Sequence, residues 1–194
     1  MKVWGLTGGV GMGKSTVAAT LRAHSVMVVD TDDLARQLVQ PGEPALAEIH
    51  DHFGKAIVAS DGQLRRDELS RIVFSDPAAR QKLEAILHPR IRQAWLAQIE
   101  AWRQTGHPLA VVVIPLLFET RAESHFEKII CVACSPGAQT ERLVARGWNA
   151  DQIRNRIAAQ LPVEEKIARS HFVIWTEGLL EVQHRQVGQL LRKL

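Results

Sequence analysis

The segment GLTGGVGMGKSTV (residues 5–17) contains residue types whose spacing points directly to phosphate chemistry. Gly8, Gly13, Lys14 and Ser15 fit the pattern G-x-x-x-x-G-K-[ST]. In that pattern backbone N–H groups surround a phosphate, the lysine reaches the β- and γ-phosphates, and the hydroxyl ligates Mg²⁺. Thr16 would add a donor at the positive end of the following helix. A glycine-rich turn that only joins a strand to a helix is the alternative. We favour a nucleotide phosphate loop, because an apolar run precedes the segment and helical spacing follows it.

A group of aspartates follows the second apolar run, in VVDTDDLAR (residues 28–36). If the backbone stays extended there, Asp30 and Asp32 point to the same side and Asp33 turns away into the next helix. One of the three is expected to cap that helix. For Asp32 we predict a catalytic role. In a loose phosphoryl-transfer transition state, a carboxylate need only orient the acceptor hydroxyl and accept its proton late. Holding a metal-bound water is a second role open to Asp32.

Two arginines lie four residues apart in ERLVARG (residues 141–147). On a helix, Arg142 and Arg146 would share one face. We predict that they belong to a lid, where forked donors close over the triphosphate and exclude water. A solvated basic face is the alternative.

Three further residues need an explanation. The third apolar run ends VVVIPLLFE (residues 111–119), with Pro115 where many P-loop proteins have an aspartate that supports Mg²⁺. This argues against a GTPase-like switch. Glu119 could touch a substrate from that edge or be a solvated loop carboxylate. His88 precedes Pro89 at an expected helix kink, where a structural role is the simpler interpretation.

The two cysteines, Cys131 and Cys134, have the C-x-x-C spacing of a redox or metal site. On a strand they would point to opposite faces, and no second cysteine or cysteine–histidine pair completes a zinc set. We therefore expect two reduced core thiols.

The elements that must position these groups follow from the apolar runs. Five short runs, at 3–7, 26–30, 109–115, 128–134 and 171–175, alternate with helical patterns. This predicts an α/β fold with a doubly wound, five-stranded parallel sheet, of the P-loop NTPase type related to nucleoside monophosphate kinases. We expect a single domain over 1–194. Within it we expect an inserted helical substrate lobe at about 32–105 and a lid at about 140–165.

The composition of the chain limits the classes of protein to which it can belong. The chain has 194 residues, 46% of them hydrophobic, and a net charge of +3, so it can bury a full core but lacks the basic excess of a nucleic-acid binder. No apolar run approaches the length of a membrane span, and the first predicted strand begins at residue 3. We expect a cytoplasmic enzyme of small-molecule substrates, without nucleic-acid or membrane partners, as a monomer or weak homo-oligomer.

Six segments, in order along essentially the whole chain, together resemble the dephospho-CoA kinase family. They are LTGGVGMGKSTV, VVDTDDLARQLVQPG, LHPRI, IPLLFE, RLVARG and RIAAQLPVEEKIARSHFVI. The resemblance implies transfer of the ATP γ-phosphate to the ribose 3′-hydroxyl of dephospho-CoA, with Mg²⁺, which gives CoA and ADP as the last step of CoA synthesis. It implies a CoA-binding function for the helical lobe.

The resemblance also assigns residues. It places the ATP loop on Gly11, Met12, Gly13, Lys14, Ser15 and Thr16, with Ser15 toward the metal. It implies that Asp32 is the base and that Lys14 and the lid arginines Arg142 and Arg146 are the other catalytic residues. It also implies substrate contacts from Asp32, His88 and Glu119.

The chain departs from the family pattern in two places, at Gly147 and in WTEG (residues 175–178), where the family usually has an Asp-x-Asn-like run. The second departure is expected to affect recognition of the nucleotide base. Another small-molecule kinase, for nucleoside monophosphates or shikimate, is the nearest alternative. A nucleotide-dependent switch is a more distant one.

Overall fold

The computed structural model describes residues 1–192, apart from the side chain of Phe74. Its sheet has five strands in the order β2-β3-β1-β4-β5, and β1 pairs in parallel with both β3 and β4, as β4 does with β5. The strands are β1 (Lys2–Gly8), β2 (Met27–Asp30), β3 (Leu109–Val113), β4 (Lys128–Ala133) and β5 (Phe172–Trp175). The predicted five-stranded parallel fold is confirmed, and each strand end coincides with the predicted residue or lies within two residues of it.

The described residues form nine helices, of which eight lie between strands and the ninth follows β5. They are α1 (Lys14–Ala23), α2 (Thr31–Gln37), α3 (Pro44–Phe53), α4 (Arg66–Ser75), α5 (Pro77–Gln104), α6 (Pro136–Ala145), α7 (Ala150–Ala158), α8 (Val163–Ala168) and α9 (Leu180–Leu191). Two single-turn 3₁₀ helices, Lys55–Ile57 and Glu123–His125, complete the set.

The central strands are buried on both faces, which explains their nearly continuous apolar sequences. One face of the sheet packs against α1 and α9 and includes Trp4, Leu6 and Val111. On the other face Lys166 of α8 and Leu117 lie among buried residues, and α8 contacts β1 and β4. Helices thus cover both faces, as a doubly wound sheet requires.

The chain divides into two compact units. The first combines Met1–Val29 with Trp102–Leu194 and contains most of the sheet. The second, Asp30–Ala101, has a core of its own around Val39, Ile49, Ile57 and Ile86, supplied mainly by α3, α4 and α5. In the second unit Arg90 of α5 donates to Glu48 of α3 at 2.6 Å. The substrate-binding function expected of the lobe at about 32–105 stays a prediction.

Among residues 1–192, no helix combines the length and the apolar character needed to cross a membrane. The expected cytoplasmic location stays a prediction.

Candidate active site

The predicted phosphate loop lies between the end of β1 and the start of α1, at the carboxyl edge of the sheet. Two of its glycines are required by geometry. A side chain at Gly8 would place its Cβ 2.2 Å from the carbonyl oxygen of Val132. Gly13 caps α1 with φ 90° and ψ 18°, a left-handed conformation that costs glycine little. Gly8 thus ends β1 in close contact with its neighbour in β4, and Gly13 gives the chain the turn with which α1 begins.

Several backbone donors of this loop point to no acceptor. The N–H groups of Gly11, Gly13 and Ser15 make no hydrogen bond within residues 1–192. The ammonium of Lys14 donates to the carbonyl oxygens of Gly8 and Gly9, at 2.9 Å each, and so lies across the loop. Donors and a cation at the N-terminus of a helix form an anion-binding site. The geometry is that of a phosphate site rather than a linking turn.

Arg142 is attached to this loop through one residue, Thr176. The guanidinium donates to the Thr176 hydroxyl at 2.9 Å and to its carbonyl oxygen at 2.5 Å. The same hydroxyl donates to the carbonyl oxygen of Met12 at 2.8 Å. Thr176 is buried and links the Arg142 guanidinium to the backbone of the loop. The carboxylate of the next residue, Glu177, accepts from the N–H of Ser135 at 3.0 Å.

The second predicted lid arginine differs. Arg146 follows the last residue of α6 as its C-cap and is exposed. The two arginines therefore stand in different surroundings within the first unit, and a shared lid function stays a prediction.

Glu119 anchors a buried lysine. One oxygen of its carboxylate, Oε1, accepts from the Lys166 ammonium and from the N–H of Leu161, both at 2.8 Å. Lys166 is fully buried and also donates to the carbonyl oxygen of Pro115 at 2.9 Å. Pro115, at the position where other P-loop proteins have an aspartate, thus offers an acceptor to Lys166. Glu119 is therefore an ion-paired loop carboxylate, and 22% of its side chain is exposed to solvent. Its predicted substrate contact stays a prediction.

The backbone does not stay extended through the aspartate group. Helix α2 begins at Thr31, and Asp30 caps it by accepting from the N–H of Asp32 at 2.9 Å. The expected same-side arrangement of Asp30 and Asp32 is therefore wrong, because Asp32 already lies in the first helical turn. Asp33 pairs with Arg36 at 2.9 Å. The exposed carboxylate of Asp32 has no partner within the described part of the chain, which leaves it available to a ligand.

His88 lies on α5, which continues without interruption through Pro89. With Pro89, Arg92, Gln93, Leu96 and Ala97 it lines an open groove of about 540 Å³ within the second unit. The imidazole is partly exposed to this groove. A substrate contact by His88 stays a prediction.

The cysteines are two free, buried thiols, as expected. Burial raises the pKa of Cys131 to about 11, against the opposing effect of the Lys166 and Lys14 charges. No cluster of three or more His, Cys, Asp or Glu side chains in the described residues is arranged to hold a metal ion.

The sequence analysis missed three polar residues that bond to the loop, namely Thr176, Gln139 and Gln160, and the buried Lys166 that bonds to Pro115. Their partners are mostly backbone atoms far away along the chain, so no local spacing signals them. One signal in the sequence could have indicated Thr176, namely its position directly after an apolar run. Residues that follow the strands of a parallel sheet lie together at its carboxyl edge, where the phosphate loop also lies.

A phosphate loop with uncommitted N–H donors, at the end of the central strand of a parallel sheet, places the chain among the P-loop kinases. A family model described as dephospho-CoA kinase matches residues 2–181. The chain belongs to the dephospho-CoA kinase family.

Individual relatives agree. A dephospho-CoA kinase of Anaeromyxobacter dehalogenans is 45% identical over 195 residues, which cover 100% of this chain and 92% of that protein. One of Bdellovibrio bacteriovorus is 42% identical over 196 residues, covering 100% of this chain and 96% of its own. A Thermus thermophilus protein of known crystal structure is similar with a TM-score of 0.84 and 34% identity, over 100% of this chain and 97% of that one.

Proposed function

We propose that this chain transfers the γ-phosphoryl group of ATP to the ribose 3′-hydroxyl of dephospho-CoA, which yields CoA and ADP. The observation that supports this most is the set of N–H donors at Gly11, Gly13 and Ser15, which meet no acceptor among residues 1–192 in a chain of this family. A triphosphate supplies the acceptors that these donors lack.

The residues of the loop fit ATP. The N–H groups of Gly11, Gly13 and Ser15 would hold the β-phosphate, and Lys14, which already spans the loop, would share its charge with the β- and γ-phosphates. Met12 is buried, and its N–H and carbonyl oxygen, which bond to Gly9 and Thr176, would keep the loop in shape around the nucleotide. Thr16, exposed in the first turn of α1, would donate to a neighbouring phosphate oxygen.

Ser15 is the residue proposed for Mg²⁺. Its exposed hydroxyl stands at the start of α1, and no acidic cluster in the described chain competes for the ion. A bound Mg²⁺ neutralises charge on the β- and γ-phosphate oxygens. Since no carboxylate set surrounds Ser15, the metal would depend on the nucleotide for most of its ligands, as Mg²⁺ sites commonly do.

Asp32 is proposed to orient the acceptor hydroxyl and to take its proton late in the reaction. Arg142 and Arg146 are proposed to stabilise charge on the migrating phosphoryl group, in a lid at about 140–165. In Arg142 the guanidinium is already oriented by Thr176, which lowers the entropy lost on binding phosphate. His88 and Glu119 are proposed substrate contacts, and the lobe at about 32–105 is proposed to bind the CoA moiety. We further propose a cytoplasmic enzyme that acts as a monomer or weak homo-oligomer.

ADP release measures the proposed activity. The purified chain is given Mg²⁺ and ATP with dephospho-CoA, AMP, dCMP or shikimate in separate reactions, beside a reaction without acceptor. Release with dephospho-CoA alone is expected. Release with another acceptor would keep a kinase but refute the substrate, and release with none would indicate an ATPase.

A matched pair of variants tests the site. Lys14→Met removes the cation of the phosphate loop and is expected to abolish turnover. Lys128→Met removes an exposed lysine at the start of β4 and is expected to retain turnover. Equal activity in the two variants would refute the assignment of the loop.

A further inference from the structure

Val10, inside the phosphate loop, has both of its backbone polar groups bound by glutamine side chains. Its N–H donates to Oε1 of Gln160 at 2.9 Å, and its carbonyl oxygen accepts from Nε2 of Gln139 at 2.7 Å. The two glutamines come from separate segments, α6 and the turn between α7 and α8. Val10 is therefore held from two sides, whereas Gly11, Gly13 and Ser15 keep their N–H groups uncommitted.

Each glutamine fixes the plane of one peptide. A trans peptide is planar, with its C=O and N–H pointing in opposite directions. Gln160 holds the N–H of the Gly9–Val10 peptide, whose oxygen accepts from Lys14 at 2.9 Å. Gln139 holds the oxygen of the Val10–Gly11 peptide, so the N–H of Gly11 points away from that side chain. One glutamine thus sets the carbonyl that Lys14 contacts, and the other sets the direction of a phosphate donor.

Gln139 is buried, and the backbone turn that carries Gln160 is bonded next to that residue. Gln139 is 5% exposed and lies inside α6, and its Nε2 would be only 3.3 Å from a Cβ at Gly9. Next to Gln160, the N–H of Leu161 donates to Glu119, which is paired with the buried Lys166. Because the backbone on both sides of the phosphate loop is already fixed, the glutamine side chains lose less conformational entropy when they bond to Val10.

We propose that Gln139 and Gln160 are positioning residues for nucleotide binding: they orient the two peptide planes beside Val10, so that Lys14 and the Gly11 N–H are directed for phosphate before ATP arrives. The inference rests on the proposed function for the identity of the nucleotide. A residue with this role acts on ATP binding and not on the acceptor or on global stability.

The test compares Gln160→Met, which keeps the length of the side chain but removes the acceptor, with Gln189→Met, which changes an exposed glutamine of α9. Three quantities are measured on the full chain: the Kd of a fluorescent N-methylanthraniloyl ATP, the KM values of both substrates, and the Tm. For Gln160→Met we expect the nucleotide Kd and the KM of ATP to rise about fivefold, as loss of one backbone hydrogen bond predicts. The KM of dephospho-CoA should stay within about twofold and Gln189→Met should match the unmodified chain.

An unchanged nucleotide Kd in Gln160→Met would overturn the proposal, as would a proportional rise of both KM values together with a lower Tm. If Gln160→Met does not fold, Gln139→Met is titrated in the same way, with the same two results deciding. Nucleotide binding needs no acceptor, so the outcome is separable from the proposed function. A chain that binds the ATP analogue but does not turn over dephospho-CoA would refute only the latter.

Discussion

The buried pair of Lys166 and Glu119 should respond very differently to loss of its two members. Lys166 is fully buried, whereas the Glu119 side chain is 22% exposed. Removing one partner of a buried pair typically costs about 3–5 kcal/mol, because an uncompensated charge remains inside. The size of the effect should therefore depend on which charge is left and on what else contacts it.

Glu119→Gln leaves the buried charge. The Lys166 ammonium would keep only neutral acceptors, the carbonyl oxygen of Pro115 and the new amide oxygen. We expect a loss of about 3 kcal/mol, at the lower end of that range, because those acceptors remain.

Lys166→Met leaves groups that have other partners. Glu119 keeps the N–H of Leu161 and some contact with solvent, and the carbonyl oxygen of Pro115 still accepts from the Thr7 hydroxyl at 3.1 Å. No buried group loses all of its hydrogen bonds, so we expect a loss of about 1 kcal/mol.

Thermal unfolding of the two single variants and the double variant measures this asymmetry. In a chain of this length 1 kcal/mol shifts the Tm by about 2–4 °C. Glu119→Gln should therefore lower the Tm by about 6–12 °C and Lys166→Met by about 2–4 °C. The double variant has no buried charge and should melt above Glu119→Gln alone. Equal shifts for the two single variants, or a double variant less stable than both, would refute the reasoning.

Three further predictions concern the site and the core. Asp32→Asn should lower kcat at least about 100-fold and leave ATP binding unchanged. The control is Asp33→Asn, which changes the exposed neighbouring residue. Substantial activity in Asp32→Asn would exclude Asp32 as the base. Thr176→Val should destabilise the fold by about 2 kcal/mol, because it removes the hydroxyl between Arg142 and the loop. Thr176→Ser keeps the hydroxyl and should cost about 1 kcal/mol or less. If urea unfolding showed Thr176→Ser to be the less stable variant, this role of Thr176 would be contradicted. Cys131, with its pKa raised from 9.0 to about 11, should resist iodoacetamide at pH 8 until the chain unfolds. Its buried neutral thiol stabilises the fold fully below about pH 9, and this contribution, about 3 kcal/mol, is lost as the pH rises toward 11, which a comparison with Cys131→Ala would measure.

Much of the fold could be predicted because its signals are local. The runs of β-branched residues in β3 and β4 are buried on both faces, and that condition alone produces unbroken apolar sequence. The phosphate loop was equally visible, since Gly13 must take a left-handed conformation and Lys14 must follow it at once. The start of α2 was less predictable. Asp30, Asp32 and Asp33 can all cap a helix, and only the backbone at Thr31 selects among them.

The sequence by itself determined the anion site, because a loop that closes within a few residues needs its glycines and its lysine next to one another in the chain. Tertiary structure alone decided which groups hold that loop in place. Gln160 and Gln139 bond to Val10 across 150 and 129 positions of the chain, and Thr176 bonds to Met12 across 164. A hydrogen bond depends on distance in space, which chain folding sets, so residues that far apart leave no spacing to read. The residues that bind phosphate are therefore adjacent in the sequence, whereas the residues that orient their backbone come together only in the folded chain.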